Sequence, residues 1–381
     1  MQPKKIKKYL LSFTFLISLV FPLVNYYCGF IRDIESFENR GLAKEPNIKN
    51  SKLDSFPIQY EKFYNDHFTL RNSQIKNYSI YKLLLFRQSP FPEAITVGND
   101  NWLYQSADEL NVYNGKISLS SEESESLRKE FEYREAYLKK RNCSFYLMVV
   151  PCKACVHSEH VGIQHYRYNS ISMGEQLVNY LSEKSKLKTV NLFKVLKEKR
   201  KEKDVYYKMD THWNKFGALT AANEFFEMVN RDFKAVTPLN FKEVKRMLIE
   251  SPDLLKMIGN VSFLKEFENV PVLDKPMMAK EVSKSNYKAP KDFVYPNLFE
   301  YDRETSDTTK PKLLIISDSF GENIFPYLAE NFKRTVRIWD AWQYKLNEEI
   351  VEIEKPNIFL LIVHEKNLKL ILNFQSGPSK K

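Results

Sequence analysis

Apolar and polar residues fall in blocks along this chain, and the shape of each block predicts an element. Tyr9 to Phe30 is an uncharged run of 22 residues. At about 1.5 Å per residue it predicts a helix long enough to cross a hydrocarbon layer of roughly 30 Å. Tyr9, Tyr26, Tyr27 and Phe30 lie near its ends, where amphipathic aromatics favour the interface, and Pro22 predicts a kink. Residues 31–57 are polar, hold Pro46 and Pro57, and read as a stalk. Residues 58–85 have helical character. Ile95 and Val97, the turn Gly98-Asn99-Asp100-Asn101 and the run Trp102-Leu103-Tyr104 read as a hairpin.

Helix and strand patterns then alternate. Serines at 120 and 121 open a helix with Leu127, Phe131 and Leu138 at near-helical spacing. Residues 143–151, CSFYLMVVP, form a nearly continuous apolar strand, as in a sheet covered on both faces. A helix over 171–185 and a strand over 188–193 follow, then a basic helix face at 194–203. An apolar helix over 216–230 comes after DVYYKMDTHWN. Residues 235–310 have weak periodicity, many charges and scattered prolines, and read as an insertion. KLLIISDSF, TVRIWD and KPNIFLLIVHE are further buried strands, with a short helix over GENIFPYLAENF. The alternation predicts an α/β fold: a doubly wound parallel sheet with helices on both faces. The expected organisation is a basic tip and anchor at 1–30, a stalk at 31–57, and a catalytic domain at 58–381 with an insertion at about 235–310.

Charge sharpens this picture at the N-terminus. The formal net charge is +10, and Lys4, Lys5, Lys7 and Lys8 precede the apolar run. The positive-inside tendency keeps such a tip in the cytoplasm and puts the rest outside, as an inner-membrane, single-pass protein. A cleaved signal peptide is the rival reading, but no small-x-small site follows the run. The remaining +6 is spread over an ordinary surface, with no basic stripe and no nucleic-acid motif, so nucleic acid is not an expected partner. Glycine is scarce, at 10 residues, which argues against a dinucleotide fingerprint. Cys28 ends the apolar run, and Cys143, Cys152 and Cys155 lie in the domain. Cys152-x-x-Cys155 with His157 and His160 is too cramped for a typical zinc site, so no metal is expected. A disulfide and plain structural thiols stay open.

Two segments bear chemistry. After the apolar strand Lys312–Ile316 the chain turns at Ser317-Asp318-Ser319, and a helix follows. Ser319 is then at the carboxyl edge of the sheet, with helix N–H groups near enough to stabilise an oxyanion. Asp210-Thr211-His212 precedes another helix. A serine needs a base, and that base needs a carboxylate to fix its tautomer. The local residues also fit an ordinary Asp-Ser turn, a helix cap with a satisfied histidine, or a pair of metal ligands.

The wider pattern resembles the alginate O-acetyltransferase AlgJ/AlgX family, whose members have an SGNH-hydrolase-like domain. FENRGLAKEP, YNDHFTLRN, VGNDNWLY, VVPCKACVH, DTHWNKFGA and ISDSF resemble six family segments in the same order. The chain departs from them at Ser317 and Asn101, where glycine is usual, and in the two cysteines flanking Lys153. The resemblance implies a permuted SGNH motif order and a triad of Ser319, His212 and Asp210. It implies oxyanion or substrate roles for Asn323, Arg71 and Lys153, with the Ser319 N–H as a further donor. No cofactor is implied. The implied activity is transfer of an acetyl group, through an acyl-serine, to a hydroxyl of a cell-surface or secreted polysaccharide. A membrane-bound O-acyltransferase partner would deliver the acetyl groups. An anchored carbohydrate esterase and a non-catalytic glycan-binding scaffold are the alternatives.

Overall fold

A computed structural model describes residues 3–36, 41–47, 54–250, 252–291, 293, 295–340 and 343–377. Its helices are α1 (Pro3–Cys28), α2 (Phe56–His67), α3 (Arg71–Phe86), α4 (Glu109–Asn114), α5 (Ser121–Lys139), α6 (Lys153–Val156), α7 (Met173–Lys184), α8 (Leu192–Lys199), α9 (Lys215–Asn230), α10 (Asp253–Met257), α11 (Gly321–Ala329), α12 (Glu348–Glu354) and α13 (Leu368–Leu372). Its strands are β1 (Ile95–Val97), β2 (Leu103–Gln105), β3 (Ser144–Val150), β4 (Lys188–Asn191), β5 (Phe241–Ile249), β6 (Glu266–Leu273), β7 (Lys280–Glu281), β8 (Glu300–Glu304), β9 (Lys312–Ser317), β10 (Arg334–Trp339) and β11 (Ile358–His364). The chain divides into two units, 1–95 with 251–264, and 96–250 with 265–381. The boundary falls at residue 95, so α2 and α3, expected in the domain beginning at 58, group with the N-terminal segment.

The first unit is helical. α1 runs through Pro22 without a break, and its Tyr9–Cys28 portion has a mean hydropathy of 1.7 and is almost wholly exposed. The helical stretch after 55 is two helices, because Leu70 takes a left-handed φ of 61° between them. α3 has no capping side chain of its own. Asp33 supplies the acceptor instead, taking the Asn72 and Ser73 N–H groups at 2.8 and 2.9 Å. Asp66 accepts the Ala43 N–H at 2.8 Å. Two of the segments behind the resemblance are thus bonded to each other. Glu38 and Arg40, from the first of them, lie outside the described residues.

The second unit is built on a seven-stranded sheet of order β4-β3-β11-β9-β10-β8-β7. The first five strands are parallel. β8 and β7 run antiparallel at one edge, so the expected parallel sheet is in fact mixed. These two strands come from the stretch read as an insertion. β7, at the edge, leaves Lys280 and Glu281 exposed, whereas β8 buries two charges with partners: Glu300 accepts the Ser285 and Tyr287 N–H groups, and Asp302 pairs with Arg334.

Successive residues of β3 show that both faces are covered. Phe145 packs on Phe131 of α5, and Tyr146 packs on Phe225 of α9. β3, β9 and β11 are buried almost throughout, which is why they read as unbroken apolar runs. β5 and β6 form a separate antiparallel ribbon. β1 and β2 form the expected hairpin, whose turn needs left-handed backbone at Asp100 and Asn101, φ 54° and 64°. Asparagine tolerates that region better than most residues, so it can stand where glycine is usual.

Candidate active site

The parallel strands end together at their carboxyl edge, and three segments meet there. The first follows β9. Ser317 ends the strand, and Asp318 and Ser319 make the turn into α11. Asp318 fixes this turn with its whole carboxylate. Its Oδ1 accepts the Phe320 N–H at 2.9 Å, and its Oδ2 accepts the Tyr344 hydroxyl at 2.9 Å and the His364 N–H at 2.7 Å. Tyr344 is held in turn by the Asn367 amide.

Ser317 also has a defined job. Its Oγ accepts Arg337 Nε at 2.9 Å, and Arg337 Nη2 donates to the Asp318 carbonyl at 3.1 Å. Arg337 is buried on β10, and burial pulls its guanidinium below its ordinary value. A Cβ on Gly321 would lie 2.1 Å from Ser317 Oγ and 2.7 Å from Arg337 Nε. The serine at 317 is therefore accommodated by the absence of a side chain at 321.

The second segment is the loop between α8 and α9. It closes on itself through a bridge between Tyr206 and Trp213 and a bond from the Tyr207 N–H to the His212 carbonyl. Asn214 caps α9, accepting the Gly217 N–H at 3.0 Å. Gly217 is required by close approach, since a Cβ there would lie 2.1 Å from the Val205 carbonyl. The loop is bolted to the serine turn twice. Trp213 Nε1 donates to the Phe320 carbonyl at 3.1 Å, and Asn323 Nδ2 donates to the Trp213 carbonyl at 2.9 Å.

These constraints align three side chains. His212 Nε2 is 2.7 Å from Ser319 Oγ, and His212 Nδ1 is 2.7 Å from Asp210 Oδ1. The same carboxylate oxygen accepts the His212 N–H at 3.0 Å. The His212 and Asp210 side chains keep 23% and 18% of their surface exposed, so the site is open to a reactant. Phe320 packs against the His212 ring at 4.9 Å and against His364 at 4.4 Å. Burial holds His364 well below its ordinary value, so it is neutral beside the site. Around the serine turn, the N–H groups of Phe320, Gly321 and Glu322 all have acceptors. The Ser319 N–H has none among the described residues.

The third segment follows β3 and supplies Lys153. It does not face a reactant, as a substrate role would require. It is fully buried, and its Nζ donates to the Lys208 and Asp210 carbonyls at 3.2 and 2.8 Å. The charge is tolerated beside buried Glu109, whose carboxylate accepts the Ala154 N–H. Tyr104 also lies 5.1 Å beneath the ammonium. Lys153 is thus a brace for the Asp210 loop. Asn323 is likewise a brace, since its amide bonds the Trp213 carbonyl. Arg71 belongs to the first unit, at the start of α3, where it reaches the Asn72 side chain.

The cysteines are thiols among the described residues. Cys152 and Cys155 are buried, and burial pushes the Cys152 thiol well above its ordinary value. His157 and His160 pack on Trp102, while Arg200 bonds Glu159 between them. An open cavity of about 430 Å³ borders the first turns of α9 and α11. Its lining is mostly apolar, with Val270, Val272, Leu273 and Met277, and Lys215 and Asn323 add a few polar groups.

Sequence reasoning missed Arg337, Tyr344, Glu109 and two glutamates of β6, Glu266 and Glu268. Glu266 Oε2 accepts the Met209 N–H at 2.5 Å, one residue before Asp210. Glu268 accepts the Tyr207 hydroxyl at 2.7 Å and pairs with Lys215 at 2.9 Å. No local signal marks them, because a buried charge looks like a surface charge in one sequence.

Residues 95–336 match the family described as SGNH hydrolase-like domain, acetyltransferase AlgX. Two relatives are named as probable alginate O-acetylases AlgJ. That of Pseudomonas syringae pv. tomato is 24% identical over 191 residues, 50% of this chain and 46% of its own length. That of Pseudomonas putida is 23% identical over 224 residues, 58% and 54% of the two chains. The chain thus spans about half the length of these relatives. Among solved structures, PatB1 of Bacillus cereus with a sulfonyl adduct is similar, with a TM-score of 0.50 and 17% identity. The match covers 72% of this chain and 97% of that one. That likeness concerns the fold.

Proposed function

The chain belongs to the AlgX family of SGNH hydrolase-like acetyltransferase domains, and from that premise we propose that it moves acetyl groups to hydroxyls of an alginate-type polysaccharide through Ser319. The observation behind this reading is the unbroken chain of two 2.7 Å contacts from Ser319 through His212 to Asp210. His212 Nε2 takes the Ser319 proton as Oγ attacks the acetyl carbonyl carbon. Asp210 accepts from Nδ1–H, fixes that tautomer and stabilises the imidazolium. The Ser319 N–H faces the negative oxygen that develops, a donor worth on the order of 10²–10³ in rate in such sites.

Collapse expels the donor's leaving group, which takes the proton from His212. The product is an acetyl ester on Ser319 and a neutral imidazole. A sugar hydroxyl then attacks this ester. Its proton passes to His212, and the bond to Oγ breaks. Ser319 recovers its proton, and the acetyl group stays on the sugar. No metal or organic cofactor enters these steps. The cavity beside Asn323 and Lys215 offers the acceptor a largely apolar approach with a few polar contacts.

The N-terminal helix supports an anchored protein. Its Tyr9–Cys28 segment spans about 30 Å at the usual helical rise. With four lysines before it, the favoured placement is an inner-membrane anchor with the second unit outside the cytoplasm. A membrane-bound O-acyltransferase is the partner that would bring acetyl groups to that side. The mechanism is tested by quenching the full chain in acid during turnover of an acetyl ester. Peptide masses should show one acetyl group on Ser319, and none in His212→Ala. Acetyl found on another residue, or equally in His212→Ala, would overturn it.

A further inference from the structure

We propose that Glu266, on the β5–β6 ribbon, is a positioning residue that governs Asp210 and through it the basicity of His212. The inference rests on the reading above and assigns a role to a stretch in which the sequence pattern shows none. On β6, Glu266 and Glu268 share a face by strand alternation, and both point at the Asp210 loop. Glu268 holds the Tyr207 hydroxyl and the Lys215 ammonium on either side of the loop. Glu266 reaches its centre, where Oε2 accepts the Met209 N–H at 2.5 Å. Lys153 grips the residues on either side of Met209 through the carbonyls of Lys208 and Asp210. Met209 and Asp210 are therefore clamped between a buried carboxylate and a buried ammonium.

Glu266 is 2% exposed, and its other oxygen accepts its neighbour's N–H, that of Phe267. Burial pushes its carboxyl up to about 7. The Met209 bond and Lys153 oppose that rise, and the Asp210 charge adds to it. The charged groups facing it are thus Lys153 on α6 and Asp210 on the loop. When Glu266 is ionised, its charge strengthens the grip on Met209 and raises the proton affinity of Asp210. Asp210 is then a stronger acceptor for the imidazolium of His212. When Glu266 is neutral, both effects vanish.

The signs for stability and activity are opposite. A carboxyl raised from 4.5 to about 7 favours the fold most when protonated, and that contribution fades as pH rises from 4.5 through 7. An ionised Glu266 therefore costs stability while it supports catalysis. A residue with only a structural role would not separate the two.

The test compares wild type, Glu266→Gln and Glu268→Gln as full chains in detergent, with p-nitrophenyl acetate as substrate. Glutamine keeps an acceptor for Met209 and removes the charge. The ratio of kcat/KM in wild type to that in Glu266→Gln should be near one below pH 6. It should rise to about tenfold above pH 8, the effect of roughly one pKa unit. Glu268→Gln should give a ratio that does not change with pH. Glu266→Gln should melt no lower than wild type at pH 8. Selective ¹⁵N labelling of methionine gives a readout without a variant at 266: the Met209 amide should titrate near neutrality. A flat ratio for Glu266→Gln, or a Met209 amide unchanged between pH 6 and 8, would overturn the proposal. Ser319→Ala separates the two readings. If that variant hydrolyses the ester as fast as wild type, the triad mechanism itself fails.

Discussion

Ser319, His212 and Asp210 differ in what each supplies, and so in what each substitution should remove. Ser319→Ala deletes the nucleophile. Asp210→Asn leaves the shape of the loop but offers an amide to His212 and favours the wrong tautomer. We expect kcat of Asp210→Asn to fall by about 10⁴-fold with little change in KM, measured on an acetyl ester. A loss below tenfold would show that Asp210 does not orient the base. Asp318, adjacent to the serine, has a different part. Tyr344→Phe removes one of its acceptor bonds inside the protein. The expected cost is about 1.5–3 kcal/mol in denaturant unfolding, the range for a bond to a charged group. The acetyl-serine should still form.

At the scale of elements, the serine turn depends on how β9, β10 and α11 approach one another. Gly321→Ala places a methyl group against Ser317 Oγ and should destabilise by about 1–3 kcal/mol. Adding Ser317→Gly should recover part of that loss, since it removes the atom in the way. A double-mutant cycle by thermal melting measures the coupling, and strict additivity would contradict the packing account. The same elements show what the sequence could reveal. β3, β9 and β11 are covered on both faces, so their residues are apolar without interruption and read as strands at once. The helix after Asn214 announces itself by its apolar run over 216–230. β5 shows Lys and Glu on its exposed side, as any surface would, while β6 and β8 turn Glu266, Glu268, Glu300 and Asp302 inward, so none of the three reads as a strand with an apolar inner face. The buried glutamates among those charges, Glu266 above all, look no different from their exposed neighbours. Ser319, His212 and Asp210 are visible locally, at a strand end and before a helix, but only the order of several short segments joins them into a triad. Lys153 and Asn323 stood out with them, but one sequence does not tell a brace from a substrate contact.

For the whole molecule, the account joins an apolar helix to an α/β unit with a serine at its open edge. The full chain should sediment with membranes and resist extraction by alkaline carbonate. In spheroplasts the second unit should be cut by added protease. Protection from that protease would put the site on the cytoplasmic side and contradict the proposed route of acetyl delivery. The central claim is transfer through Ser319, and one assay addresses it most directly. The full chain in detergent is given p-nitrophenyl acetate and an alginate-type oligosaccharide, and acetylated sugar is counted by mass spectrometry for wild type and Ser319→Ala. The account predicts acetylated oligosaccharide with wild type and a loss of about 10⁴-fold or more with Ser319→Ala. Equal yields from the two proteins, or ester hydrolysis by wild type with no acetyl group on the sugar, would contradict it.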